Sequence, residues 1–115
     1  MGLSVKHPFG PATVIALTAT GTQAITINDN VTYVDGVTTQ ATGNRTINLT
    51  IPTTNNITVG SRIFIASKTA STETTIAGTG MIMPTITGVA GKTKITELFY
   101  NGTNFVATSA GYQID

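Results

Sequence analysis

Threonine recurs through short alternating runs such as Arg45-Thr-Ile-Asn-Leu-Thr-Ile51, and this pattern, more than any other, narrows the folds open to the chain. A β-branched side chain loses rotamer freedom in a helix, whereas its small hydroxyl suits a pleated surface that is half wet. Twenty-five of the 115 residues are Thr, too many for a chain that relies on helices. No stretch carries apolar residues at 3.6-residue spacing, so the sequence predicts an all-β protein.

Strands are expected near 13–19, 23–28, 30–34, 45–51, 61–67, 73–77, 81–87, 93–100 and 103–109, each closed by turn residues. Close spacing of such runs is the mark of a sandwich or barrel, and it predicts a single antiparallel β-sandwich or barrel of about eight short strands over residues 13–115. Residues 1–12 differ. Pro8 and Pro11 bracket Phe9-Gly10, and two prolines this close favour an extended N-terminal arm without ladder hydrogen bonds. Leu3, Val5 and Phe9 are apolar points on it, so the arm either docks on a sheet edge or groove of another protein or frays as a chain terminus.

Two dipeptides accept the positive φ of tight hairpin turns, Asp35-Gly36 and Asn101-Gly102, and both predict hairpins. If Asn101-Gly102 is the whole loop, Leu98 lies opposite Phe105 and Tyr100 opposite Thr103. Thr96, Leu98, Tyr100, Phe105 and Ala107 then share one face, and Ile95, Glu97, Phe99, Asn104 and Val106 the other. That second face is too apolar to stand in water, which predicts a subunit interface at Ile95, Phe99 and Val106.

Composition removes several function classes. Charged residues make up 10% of the chain, six basic against five acidic, so no basic stripe is available to neutralise phosphates and nucleic-acid binding is disfavoured. There is no cysteine for a disulfide, a thiolate nucleophile or a zinc-thiolate site. The acids are Asp29, Asp35, Glu73, Glu97 and Asp115, and the lone histidine, His7, falls on the arm. Acid-base chemistry needs such groups paired in a pocket, so no catalytic residue is assigned and the chain is read as a non-enzyme.

Asn28-Asp-Asn30 with Asp35 offers hard oxygen ligands of the kind calcium takes, but Asx residues in a row also make turns, which is the preferred reading, and no metal site is assigned. Gly78/Gly80 and Gly88/Gly91 lack the ending of a phosphate loop and read as turns, so no cofactor is expected. Met81-Ile-Met-Pro84 reads as core filling ahead of an adaptable interface. The N-terminus lacks the charged and apolar regions of a signal peptide, and no apolar run nears the roughly 18 residues needed to span a bilayer. The expectation is a free-standing soluble product with no membrane partner.

Thr-Ile-Asn-Leu-Thr-Ile (46–51), then Val59-Gly-Ser-Arg-Ile-Phe-Ile65, then Thr96-Glu-Leu-Phe-Tyr-Asn-Gly-Thr-Asn-Phe105 resemble, in that order, small β-sandwich modules of bacteriophage virion proteins. Such modules occur in head decoration and head-fibre proteins and in tail fibres. They often end a strand in Tyr-Asp/Asn-Gly-Thr-Asn-Trp, and Phe105 stands here in place of the tryptophan. The resemblance implies a homotrimer. With no heptad stalk or shaft repeat, the chain is most similar to a capsid decoration protein, made in the host bacterial cytoplasm and bound to the virion's outer surface. Its partner would be the major capsid protein or another virion protein, gripped by Lys6, Pro8, Phe9 and Pro11. The alternative is a tail-fibre or tail-tip module that recognises host glycan, with Tyr100 and Asn101, beside Tyr33 and Tyr112, at a shallow sugar site.

Overall fold

The computed structural model describes residues 13–52 and 57–115. The arm and its expected contact residues Lys6, Pro8, Phe9 and Pro11 lie outside the described residues. Among the described residues there is no helix, and eleven strands form: β1 (Thr13–Ala16), β2 (Gly21–Thr26), β3 (Val31–Ala41), β4 (Arg45–Thr50), β5 (Arg62–Thr69), β6 (Thr74–Ala77), β7 (Met81–Ile82), β8 (Ile86–Thr87), β9 (Thr93–Tyr100), β10 (Phe105–Ala107) and β11 (Tyr112–Gln113). They make two sheets. A seven-stranded sheet runs β1-β3-β5-β9-β10-β7 with β11 also paired to β9, and a four-stranded sheet runs β2-β4-β6-β8.

The all-β expectation holds, but the antiparallel one does not. From β1 to β6 the chain alternates between the sheets, and each strand lies parallel to the strand two before it. The result is a flattened coil of three rungs. Only later does the chain reverse, with β8 antiparallel to β6 and β9 antiparallel to both β5 and β10. The corners explain why. Leu17, between β1 and β2, and Ile27, between β2 and β3, are 3% and 0% exposed, so these connections carry their apolar side chains into the core while stepping to the opposite sheet. A hairpin turn would have held them in solvent.

Asp35-Gly36 makes no hairpin. It lies inside β3, where pairing with β5 shifts register between Gly36 and Ala41. The Asp35 carboxylate accepts hydrogen bonds from the Val37 and Thr38 amides and the Thr38 hydroxyl at 2.8, 3.1 and 2.7 Å, so the Asx chemistry builds a local bulge and the chain continues in its direction. Asn101-Gly102 does open a hairpin, with a loop of 101–104: Phe105 lies opposite Tyr100 and Ala107 opposite Leu98. The Asn101 side-chain oxygen accepts the Thr103 and Asn104 amides, both at 2.9 Å. Register therefore slips by two residues from the two-residue loop. Because side chains alternate with period two, an even slip leaves both faces as expected.

The expected strand over 81–87 divides around Pro84, β7 joining β10 in the larger sheet and β8 joining β6 in the smaller. Met81 is buried, and Met83 packs against the core. Between the sheets lie Leu17, Ile25, Ile27, Val34, Ile47, Leu49, Ile63, Ile65, Met81, Leu98 and Phe105. Stacking along the ladders sets Ile25 beside Leu49, Val34 beside Ile65 and Ile63 beside Leu98, so each rung covers the apolar side of the next.

Candidate interaction surface

The outward side of the seven-stranded sheet is built by parity. Inward residues of β5 and β9 (Ile63, Ile65, Leu98) fill the core, so the residues between them point away from it. Three rows of direct neighbours follow: Val31, Arg62, Phe99, Val106 and Ile82; Val14, Tyr33, Phe64 and Glu97; and Ala16, Asp35, Ala66, Ile95 and Tyr112. Phe99 and Val106 face each other directly, and Ile95 lies four residues along the same strand. The sequence-predicted interface residues are thus on one face, and the face is wider than they are.

Exposure along it is high for apolar side chains: Val14 63%, Ile82 53%, Tyr112 60% and Phe99 37%. Tyr33, Phe64, Ile95 and Val106 are half-buried. Polar groups on the face are mostly satisfied within it. Arg62 and Glu97 pair at 3.0 Å, a solvent-exposed contact that contributes little to stability. The hydrogen bonds from Thr38 and Val37 hold the Asp35 carboxyl below its ordinary pKa, and partial burial, helped by the Asp35 charge, pushes the Tyr33 phenol up. Tyr33 therefore stays neutral and Asp35 charged near neutral pH.

The expected glycan residues are not brought to a common site. Tyr100 turns toward the core, its ring 5.1 Å from that of Phe105, and its hydroxyl donates to the Gly102 carbonyl at 2.9 Å. The Asn101 oxygen is engaged in its own turn. Tyr33 and Tyr112 lie on the outward face, with β5 and β9 between their strands.

The acids are likewise dispersed. Asp29 accepts the Thr13 hydroxyl, Glu73 the Ser71 amide at 2.7 Å, and Asp115 the Thr93 amide at 2.8 Å. Asn28-Asp-Asn30 is the connection from β2 to β3, as the turn reading expects, with Asn30 accepting from Ser61 at 3.3 Å. Among the described residues no three His, Cys, Asp or Glu side chains converge as metal ligands. An open depression of about 310 Å³ beside this turn is lined by Asn30, Val31 and Thr58 to Arg62, and brings no acid to face a base.

One residue was not singled out from the sequence although alternation marks it. Ile47 and Leu49 point inward, so Arg45, on the same parity, does too. It is 1% exposed, the largest fully buried side chain among the described residues. Its Nη2 donates to Ser67 Oγ at 2.9 Å and to the carbonyls of Lys68 and Gly36 at 3.2 and 3.4 Å; Nη1 donates to those of Thr39 and Thr18 at 3.2 and 3.4 Å. Ser67 in turn meets Thr75 at 3.0 Å. Arg45 thus crosses from the smaller sheet to the larger and ties all three rungs, a structural role and not a site open to a ligand. No family model matches the chain, and no curated protein or solved structure matches it.

Proposed function

We propose that the protein is a non-enzymatic structural protein of a bacteriophage virion, a decoration protein that binds the outer surface of the head and braces it. Copies pack through the outward face of the seven-stranded sheet as a homotrimer, and Lys6, Pro8, Phe9 and Pro11 grip the capsid lattice. The observation that carries this reading is the apolar outward face around Phe99 and Val106, set in a chain whose acids are scattered singly. Such a protein works by binding the assembled shell alone, so each bound copy lowers the free energy of the intact lattice, and several weak contacts per oligomer add through effective concentration. Glycan recognition is the weaker alternative, since the Tyr100 hydroxyl and the Asn101 side-chain oxygen are engaged in their own hairpin.

Two variants test this, with mass measured by light scattering and binding measured on purified heads stripped of the protein. Phe99→Asp with Val106→Asp should leave a folded chain that no longer forms trimers. Deletion of residues 1–11 should leave a trimer that no longer binds heads. A wild-type monomer, or full head binding after the deletion, overturns the proposal.

A further inference from the structure

The sheet edges of this protein are unequal. At the end of the coil where the chain reverses, the outer strands β7, β8 and β11 have two residues each, the shortness by which natural sheets blunt an edge. At the opposite end β2 is six residues long, pairs with β4 at every position without a bulge, and carries no charge and no proline. Among the described residues β4 is its one neighbour. Its companion edge β1 is treated differently. The Gln23 side chain donates to the Ala16 carbonyl at 2.8 Å and accepts the Thr18 amide at 3.0 Å, which occupies the polar groups where β1 ends.

The ladder shows which groups of β2 face outward. Gly21 and Ile27 donate their amides to Asn44 and Thr50 of the β4 side at 2.9 and 3.0 Å, so odd residues bond to β4. In a parallel ladder the even residues then direct both N–H and C=O to the other side. These are Thr22, Ala24 and Thr26, all exposed. Read in either direction the triplet is Thr, Ala, Thr. Turned end over end, the strand therefore presents its own complement, with Thr22 against Thr26, Ala24 against Ala24, and no like charges opposed.

We propose that β2 joins two copies of this chain edge to edge, antiparallel, about a twofold axis through Ala24. Each even residue exchanges its N–H and C=O with an even residue of the other copy, and the four-stranded sheet becomes continuous across the pair. This surface is separate from the outward face of the larger sheet and holds whether or not that face assembles a trimer.

The chain has no cysteine, which makes crosslinking clean. Directly opposed residues of a hydrogen-bonded antiparallel pair have Cα atoms about 5.5 Å apart, within disulfide range. Ala24→Cys should give a disulfide-linked dimer on mild oxidation, whereas Thr22→Cys, whose copies would lie four residues out of line, should not. Ala24→Lys and Ala24→Glu should each weaken self-association roughly tenfold or more, and a one-to-one mixture of the two should restore it. These measurements are made in the Phe99→Asp, Val106→Asp background, so that loss of the outward-face contact is not mistaken for loss of the edge. In the unmodified chain, hydrogen exchange at Thr22, Ala24 and Thr26 should slow as concentration rises. Equal crosslinking at 22 and 24, no rescue in the mixture, or exchange at these amides that ignores concentration overturns the proposal. Protection at every dilution would mean that the chain's own residues cover the edge, and overturns it as well.

Discussion

Arg45 shows at the scale of one residue how a nearly uncharged chain holds two sheets together. A buried guanidinium is costly unless its hydrogens are met, and here carbonyls and a hydroxyl from three rungs meet those of Nη1 and Nη2, whereas the buried Nε–H finds no partner among the described residues. Burial lowers its pKa while the Glu73 charge opposes the shift, and the group stays protonated. Hydrogen bonds to charged groups contribute about 1.5–3 kcal/mol each, and removing the donor also strands the carbonyls it served. Arg45→Met should therefore destabilise the fold by about 3 kcal/mol or more, read as a lower urea midpoint at unchanged m-value. Arg45→Lys should recover less than half, since one ammonium cannot span both sets of partners. A loss under about 1 kcal/mol for Arg45→Met would show that this buried cation is dispensable. The residue was legible in the sequence, because it sits in step with Ile47 and Leu49.

At the scale of the element, two glycines carry the difference between local and tertiary demands. Gly102, at φ +102° in the β9–β10 loop, needs the left-handed region, as its place after Asn101 predicts. Gly36 has an ordinary φ; instead a Cβ there would lie 2.6 Å from the Ala66 carbonyl and 3.0 Å from the Arg45 guanidinium. Gly102→Ala should cost about 1–2 kcal/mol of conformational strain. Gly36→Ala should cost more than Gly102→Ala, about 2–3 kcal/mol, because β3 must move off β5 or the guanidinium must leave its carbonyls. Thermal unfolding of the two variants side by side checks the order, and equal losses would refute the close-approach account. Asp35-Gly36 predicted a hairpin because the dipeptide is the same whether glycine supplies a turn or merely room.

For the whole molecule, the coil sets a gradient of protection. β5 lies mid-sheet between β3 and β9 and contributes Ile63 and Ile65 to the core, whereas β8 and β11 are two-residue strands. Native-state hydrogen exchange should find the slowest amides in β5 and the fastest among the strands in β8 and β11. Slower exchange in β11 than in β5 would be incompatible with this architecture. The coil also has no fixed repeat in the chain. Thr13 stacks beside Thr32, Gly21 beside Arg45, Val31 beside Arg62 and Arg45 beside Thr75, so successive rungs stand 19, 24, 31 and 30 residues apart and share no period.

The amino-acid sequence by itself determined where most strands run and how the faces of β4 and of the C-terminal hairpin divide, including the outward side of Ile95, Phe99 and Val106. Both follow from the pleat of a single strand, whose alternation survives even the two-residue slip at the Asn101 hairpin. The tertiary structure alone decided that the strands coil in parallel, that Pro84 lies between strands of different sheets, and that β2 is left at an edge. Pairing is settled where the chain turns, and there the burial of Leu17 and Ile27 in a shared core, a property of no single segment, outweighs local turn preference.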